Sequence, residues 1–209
     1  VNLWFAMLVL APLVVGLIGL IVERCLIQWL YGRMIDTLLA TWGLSLLFIG
    51  IITSIFGAST STVISPPLGT VTIGEYTSSG YELFLIFVVI VLLALVYLTL
   101  KFTSLGLVAR ATMQNSDMSA CLGISTSKIY MVTFSLGAAV SGLAGGLLVP
   151  ITGVLPNIGV IYIAKAFITV ISGGSAILAG TTSASVLLGG VNGIMSYITG
   201  PTFGEVALL

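Results

Sequence analysis

The stretch that decides the fold class is YELFLIFVVIVLLALVYLTL, residues 81–100, in which only Glu82 carries a charge. A helix of this length is about 30 Å long, which matches the hydrocarbon core of a bilayer. The whole chain is similar, because 58% of its 209 residues are hydrophobic and only 6% are charged. Soluble domains carry roughly 25% charged residues, so this chain could not cover a water-facing surface. We predict an all-α integral membrane protein, since helices satisfy their own backbone in lipid.

Further apolar runs flank this stretch on both sides. They cover residues 1–22, 37–57, 131–149, 158–172 and 176–198, and a last run begins near residue 206. Most have the roughly 17–25 residues that a membrane-spanning helix needs, although the run 158–172 is shorter. We predict one transmembrane domain over residues 1–209, a helical bundle of about six spans and the start of a seventh. Because the chain begins and ends inside apolar runs, we expect it to be a fragment of a larger protein.

Basic residues lie in alternate loops of the predicted bundle. The five in loops are Arg24, Arg33, Lys101, Arg110 and Lys128. They fall in the loops 23–36 and 101–129, whereas the loops 58–80 and 150–157 contain neither Lys nor Arg. Since cytoplasmic loops carry an excess of Lys and Arg, we predict that the loops 23–36 and 101–129 face the cytoplasm.

Missing residue types and motifs argue against several kinds of chemistry. The chain has no His, and its two cysteines, Cys25 and Cys121, lie in different loops, so we expect neither a metal site nor a disulfide framework. It has no G-x-x-x-x-G-K-[ST] loop for a phosphate and no G-x-S-x-G turn for a nucleophile. Its six basic and six acidic residues balance, so nothing indicates a nucleic-acid partner. We therefore predict a protein without enzymatic activity or cofactor.

Two polar residues stand out within the later runs, Lys165 and Asn192. An ammonium group inside a membrane is costly and usually faces a cavity or a partner, so Lys165 is a candidate for a translocation path. The other interpretation is that the run 158–172 is a half-helix from which Lys165 reaches the nearby surface. Asn192 is a second candidate for the path, with an interhelical hydrogen bond as the commoner role.

Small residues form faces on the predicted helices of the C-terminal half. They are Ala138, Gly142 and Gly146 on one helix, and Gly189 and Gly193 on another. Such faces allow helix backbones to approach closely. We expect helix packing, rather than direct contact with a solute, to be their role.

The loop 101–129 is long for a connection between spans, and the residues 116–123, SDMSACLG, predict a short helix within it. Ser116 suits the N-cap, Asp117 suits the positive end of the helix dipole, and Gly123 suits a left-handed C-cap. Its apolar face would comprise Met118, Cys121 and Leu122. Such a helix either lies in the lipid interface or inserts into a groove on another protein.

These residues carry a resemblance to a known family. DMSACLG, residues 117–123, resembles the E-A-A-x-x-x-G signature of ABC-importer permeases, with Met118 and Ser119 at the two alanine positions. The wider segment 106–148 is similar to the LivH-type permeases of branched-chain amino-acid importers, as are the segments 161–181 and 204–209. ERCLIQWLYGRMIDTLLATWGLSLL, residues 23–47, resembles in particular the urea-transporting branch of these permeases.

The resemblance implies a permease subunit that imports urea, short amides or branched-chain amino acids across a bacterial-type plasma (inner) membrane. It implies cytosolic ABC ATPase subunits, a second similar permease and a periplasmic or extracellular solute-binding protein as partners. The coupling helix held by the ATPase would comprise Asp117, Met118, Ser119, Ala120, Cys121, Leu122 and Gly123. The loop 23–36 is expected to form a second helix on that side, which either supports the same surface or is anchored in the lipid interface by Trp29 and Tyr31. The alternatives are a passive channel for a small neutral solute and a membrane scaffold that conducts nothing.

Overall fold

The computed structural model describes residues 3–57, 69–73, 76–174 and 179–200. This part of the chain is mostly helical, which confirms the predicted fold class. Its helices are α1 (Leu3–Phe5), α2 (Ala11–Cys25), α3 (Met34–Phe56), α4 (Gly80–Phe102), α5 (Ser104–Gln114), α6 (Ser116–Cys121), α7 (Thr126–Thr152), α8 (Ile158–Gly173) and α9 (Ala179–Thr199). A π-helical turn, Ala6–Leu10, joins α1 to α2. Two short antiparallel strands, β1 (Thr70–Ile73) and β2 (Tyr76–Ser79), form a hairpin that the sequence did not predict.

Four helical segments of the described chain are long and apolar enough to cross a membrane. They are Leu3–Trp29, Ile35–Phe56, Gly80–Phe102 and Thr126–Thr152. They match the first four apolar runs of the sequence in order, which confirms a multi-pass membrane protein. The short run 158–172 lies in α8, and the described residues of the small-residue-rich run, 179–198, lie in α9. The total of six spans stays a prediction, and the run near residue 206 lies outside the described residues.

The chain divides into two compact units, Val1–Val154 and Leu155–Leu209. The main packing contact of the first unit joins α2 and α7 along their lengths. The main contact of the second unit joins α8 and α9. Each unit is therefore organised around one pair of helices.

Small residues on both helices allow the α2–α7 contact. A β-carbon added at Gly142 of α7 would lie 2.6 Å from Cβ of Val15, and one added at Gly19 of α2 would lie 2.5 Å from Cβ of Ala138. Both distances are far below van der Waals contact, so the helices approach this closely only with glycine at these positions. Across the same contact, the hydroxyl of Ser135 donates a hydrogen bond of 3.0 Å to a carbonyl of α2.

A cluster of aromatic side chains around the buried Tyr81 joins α1, α4 and α7 at the end of α4 farthest from the loop 101–129. The hydroxyl of Tyr81, in the first turn of α4, donates a hydrogen bond of 2.7 Å to the Leu147 carbonyl of α7. Trp4 of α1 meets Phe84 of α4 edge to face, with ring centroids 4.9 Å apart. Since a buried hydroxyl needs a partner, the Tyr81 bond also fixes which part of α7 lies against α4.

The loop 101–129 is more ordered than the sequence predicted. Only one short helix was expected in it, but α4 continues to Phe102, and α5 and α6 then occupy most of the remaining residues. A tight corner separates α4 from α5. A β-carbon added at Gly106 would overlap the carbonyl of Leu100, so the chain turns back on itself only because Gly106 has no side chain.

The prediction of a second helix over residues 23–36 is wrong. Instead, α2 runs on to Cys25, a 3₁₀ turn covers Ile27–Trp29, and α3 begins at Met34. The break coincides with Gly32, whose φ of +90° is incompatible with a right-handed helix. Trp29 is 81% exposed, as an interfacial anchor would be, whereas the hydroxyl of Tyr31 donates a hydrogen bond to the carboxylate of Glu23.

Candidate functional site

The helix α6, predicted as the contact for an ATPase, is capped by a side chain at its N-terminus. The cap is Asn115, whose Oδ1 accepts a hydrogen bond of 3.0 Å from the N–H of Met118. The prediction of Ser116 as the cap is therefore wrong by one residue. Asn115 has the extended backbone that a cap requires, with φ −154° and ψ 103°, whereas Ser116 is already helical. Asp117 lies in the first turn and is exposed.

The C-terminal end of α6 is closed by a Schellman motif. Gly123 has a φ of +83°, as expected for a left-handed residue after a helix. Its N–H donates to the Ala120 carbonyl at 3.0 Å, and the N–H of Ile124 donates to the Ser119 carbonyl at 3.1 Å. Ser119 is buried, and its hydroxyl donates to the Asn115 carbonyl at 2.9 Å. A helix of six residues is thus held by hydrogen bonds at both ends.

Three side chains of this segment form what we call the α6 surface: Met118, Cys121 and Leu122. Met118 is 66% exposed, Leu122 is 77% exposed, and Cys121 is exposed as well. An isolated exposed apolar residue needs no explanation, but three of them on a helix with fixed ends form a defined apolar knob. The α6 surface can therefore enter a groove or a lipid interface.

The helix α5 connects α6 to the membrane-spanning helices. The hydroxyl of Thr103 caps α5 by accepting a hydrogen bond from the N–H of Gly106. Thr112 is buried, and its hydroxyl donates to the Val108 carbonyl at 2.8 Å. α5 packs against α4, α6 and α7, and α6 also contacts α7. A displacement of α6 would consequently act on two membrane-spanning helices.

A buried carboxylate lies in the last turn of α2. Glu23 is only 1% exposed, and its Oε1 accepts a hydrogen bond of 3.1 Å from the hydroxyl of Tyr31. The ring of Tyr31 packs on that of Tyr130, near the start of α7, with centroids 4.7 Å apart. Burial and then the Glu23 carboxylate raise the pKa of Tyr31, so its hydroxyl remains a donor. Sequence reasoning missed this cluster, because a Glu beside Arg24 at a span end resembles a solvated residue.

In the second unit, α8 and α9 line an open cleft of about 300 Å³. The residues that line it include Tyr162, Lys165, Ile168, Leu188, Gly189 and Asn192. The Nζ atom of Lys165 lies 5.9 Å from the ring centroid of Tyr162. Oδ1 of Asn192 is buried and has no hydrogen-bond partner in the described part of the chain. The structure thus places Lys165 and Asn192, the two polar residues singled out in the sequence, in one cleft.

The small residues expected to pack helices occupy different surroundings. The three on α7, which face α2, are Ala138, Gly142 and Gly146. A β-carbon added at Gly189 or Gly193 of α9 would meet no described atom within 4 Å. The close approach of α8 to α9 lies instead at Gly173, where an added β-carbon would be 2.7 Å from the backbone nitrogen of Thr181.

Comparison with known proteins identifies relatives that are transport permeases. The probable branched-chain amino acid transport permease protein LivH of Methanocaldococcus jannaschii is 32% identical over 118 residues, or 56% of this chain and 38% of that protein. The high-affinity branched-chain amino acid transport system permease protein LivH of Escherichia coli K12 is 30% identical over 121 residues, or 56% and 39%. BraD of Pseudomonas aeruginosa, described in the same words, is 31% identical over 144 residues, or 66% and 47%. No solved structure matches the chain.

The chain thus aligns with less than half the length of these curated relatives. The family described as "Branched-chain amino acid transport system / permease component" matches nearly all of it, residues 1–207. This match agrees with the four membrane-spanning helices and with the transport role of the relatives. The chain belongs to the family of permease components of branched-chain amino acid transport systems.

Proposed function

We propose that the chain belongs to the permease subunit of an ATP-driven ABC importer that moves a small polar solute across a bacterial-type inner membrane. The observation that carries this proposal is the α6 surface, an apolar knob on a helix held at both ends. An apolar helical surface of this kind fits a groove on a partner protein. Family membership supplies the transport role.

The mechanism requires ATP to favour one conformation of the permease over another. A partner can shift a conformational equilibrium only through a difference in its binding to the two states. α6 contacts α5 and α7, and α5 contacts α4, so a pull on the α6 surface would tilt α4 and α7 together. The permease itself carries out no covalent chemistry in this account.

The proposed partners are two cytosolic ATPase chains, a second similar permease and a solute-binding protein outside the membrane. The basic residues of the loops 23–36 and 101–129 favour a cytoplasmic position for α6, where a cytosolic ATPase would meet it.

Two classes of solute are candidates. The names of the relatives point to branched-chain amino acids, whereas the resemblance of residues 23–47 points to urea or a short amide. Lys165 and Asn192 are proposed to lie on the path of either solute. Uptake of labelled leucine and labelled urea, each in competition with the other unlabelled, decides between them.

Cys121 provides the test of the ATPase contact, and Cys25 provides its control. Both cysteines are exposed, but only Cys121 lies on the α6 surface. The full-length permease is expressed with its ATPase and labelled with benzophenone maleimide, and photocrosslinking is compared with and without ATP. We expect a nucleotide-dependent crosslink to the ATPase that Cys25→Ser retains and Cys121→Ser abolishes.

The opposite result favours the other candidate function, a passive channel for a small neutral solute with α6 in the lipid interface. In that case Cys121 would react fully with the maleimide but would crosslink only to lipid, both with and without ATP.

A further inference from the structure

Two membrane-spanning segments of the first unit contain a break in their regular helical bonding. In the first span, the N–H of Ala11 donates to the Ala6 carbonyl, five residues earlier, and closes the π turn Ala6–Leu10. In α7, Pro150 lies inside the helix. A proline has no N–H to donate, and its ring crowds the carbonyl four residues earlier, which is that of Gly146. π turns and prolines are the usual causes of sharp bends in helices.

The two irregular segments lie against each other. A β-carbon added at Gly146 would be 3.1 Å from Cβ of Ala11 and 3.4 Å from the carbonyl oxygen of Met7, which lies in the π turn. Met7 is buried at this contact. On the predicted cytoplasmic side of this level, the close contacts at Gly142 and Gly19 hold α2 and α7 together. Bending is therefore confined to the outer part of the pair.

Side-chain hydroxyls bond to the backbone of α7 at the same place. The hydroxyl of Tyr81 donates to the Leu147 carbonyl at 2.7 Å, and that of Thr152 donates to the Leu148 carbonyl at 3.0 Å. With Gly146, which loses its donor to the proline, three successive carbonyls depart from regular helical bonding. A side chain that bonds to the carbonyls of a helix favours a bend there.

The Tyr81 bond is the one that comes from another helix. Both Tyr81 and Leu147 are buried, so water does not substitute for the hydroxyl if it is lost. The more extensive contacts of α4 are with α5 and β2 rather than with α7. On the same cluster, Trp4 joins the outer part of the first span to Phe84 of α4. The outer ends of both spans are thus tied to the first turns of α4.

We propose that the outer part of the first span, residues 3–10, and the last turn of α7, residues 147–152, bend about the π turn and Pro150. The bond from Tyr81 to Leu147 holds them in the conformation of this structure. With the predicted orientation, the hinge lies toward the outer face of the membrane. As a gate for a solute it rests on the proposed transport function, but the bending itself can be measured without transport.

The test measures the distance between two spin labels by pulsed EPR, in the full-length permease assembled with its ATPase in nanodiscs and without nucleotide. The labels are attached at Ile21→Cys and Ile151→Cys, both exposed positions, after Cys25 and Cys121 are replaced by Ser. Ile21 lies in the closely packed part of α2, whereas Ile151 follows Pro150. Since rigid movement of the α2–α7 pair leaves this distance unchanged, a second distance reports bending.

Three variants separate the bond from the hinge. Tyr81→Phe removes the hydroxyl and keeps the ring. Tyr97→Phe is the matched control, because it removes a hydroxyl of the same helix that meets Lys101 on the exposed surface. Pro150→Ala restores an N–H for the Gly146 carbonyl, so it tests the hinge even if Tyr81→Phe does not assemble.

We expect Tyr81→Phe to raise the fraction of molecules at the second distance roughly fivefold, the effect of losing one hydrogen bond. Tyr97→Phe should match wild type, and Pro150→Ala should narrow the distance distribution, also when combined with Tyr81→Phe. The inference is overturned if assembled Tyr81→Phe gives the wild-type distribution, or if Pro150→Ala leaves it as broad as in wild type. Failure of the proposed function has a different signature: these variants behave as expected, but the Cys121 crosslink does not respond to ATP.

Discussion

Among the individual residues of the first unit, Glu23 has the least expected surroundings. A buried carboxylate is costly unless it is hydrogen-bonded, and the hydroxyl of Tyr31 supplies a bond at 3.1 Å. Tyr31 also packs on Tyr130, so one side chain joins the end of α2 to the start of α7. We infer that this cluster holds the C-terminal end of α2 against the N-terminal end of α7, the helix that follows α6 in the chain.

Tyr31→Phe should therefore destabilise the first unit. The ring and its contact with Tyr130 remain, but the Glu23 carboxylate loses its donor, so we expect a loss of about 1 kcal/mol. The loss of stability is measured by thermal unfolding in detergent, with size-exclusion chromatography used to monitor the folded fraction.

Tyr97→Phe is the control for this prediction. It removes a hydroxyl that meets Lys101 on the exposed surface of α4, and it should leave the unfolding temperature unchanged. Equal unfolding temperatures for Tyr31→Phe and wild type would show that Glu23 does not depend on this bond.

Among the elements, α6 depends on its caps more than on its own length. A helix of six residues is too short to be stable alone, so its end hydrogen bonds and its packing against α5 and α7 maintain it. Asn115→Ala removes the bond to the N–H of Met118, a cap typically worth about 1 kcal/mol, and should speed amide hydrogen exchange in α6 roughly fivefold.

Ser125→Ala provides the comparison for this cap. Ser125 precedes α7 but makes no side-chain cap bond, so its removal should leave exchange in α7 unchanged. Unaltered exchange in α6 of the Asn115→Ala protein would mean that the helix does not depend on this cap and is held by the Schellman motif and its packing against α5 and α7.

The α2–α7 contact predicts opposite effects for two glycines on one helix. At Gly142 an added methyl group would lie 2.6 Å from Cβ of Val15, so Gly142→Ala should cost about 1–3 kcal/mol through overpacking. At Gly145 nothing described lies within 4 Å, and Gly145→Ala should be neutral or stabilising, because Ala favours a helix. Thermal unfolding of both variants checks the prediction, which a stable Gly142→Ala protein would contradict.

The elements also show what the sequence could and could not predict. Long apolar runs such as 81–100 predicted the bounds of their helices to within a few residues, because the length of an apolar run can be read from the local sequence. The helix α5 was missed, since its residues are mixed in polarity and its corner depends on the contact of Gly106 with α4. The burial of Glu23 and the shared cleft of Lys165 and Asn192 were missed for the same reason: they depend on which helices pack together.

For the whole molecule, the two natural cysteines test the orientation in the membrane. Cys25 and Cys121 are exposed and lie in or beside loops predicted to face the cytoplasm. A membrane-impermeant maleimide should label both in inverted vesicles and neither in right-side-out vesicles. Asn157→Cys, in the loop 150–157, should show the reverse pattern when Cys25 and Cys121 are both replaced by Ser. Labelling of Cys25 and Cys121 on opposite sides would contradict the predicted topology.

The proposed function depends on whether transport requires ATP. The most direct measurement is uptake of labelled leucine and labelled urea into proteoliposomes that contain the full-length permease, its partner permease and its ATPase, with ATP inside and the binding protein outside. We expect one solute to accumulate above its external concentration with ATP and to stay out with a non-hydrolysable analogue. Entry that proceeds without ATP and stops at the external concentration would contradict it and identify a passive channel.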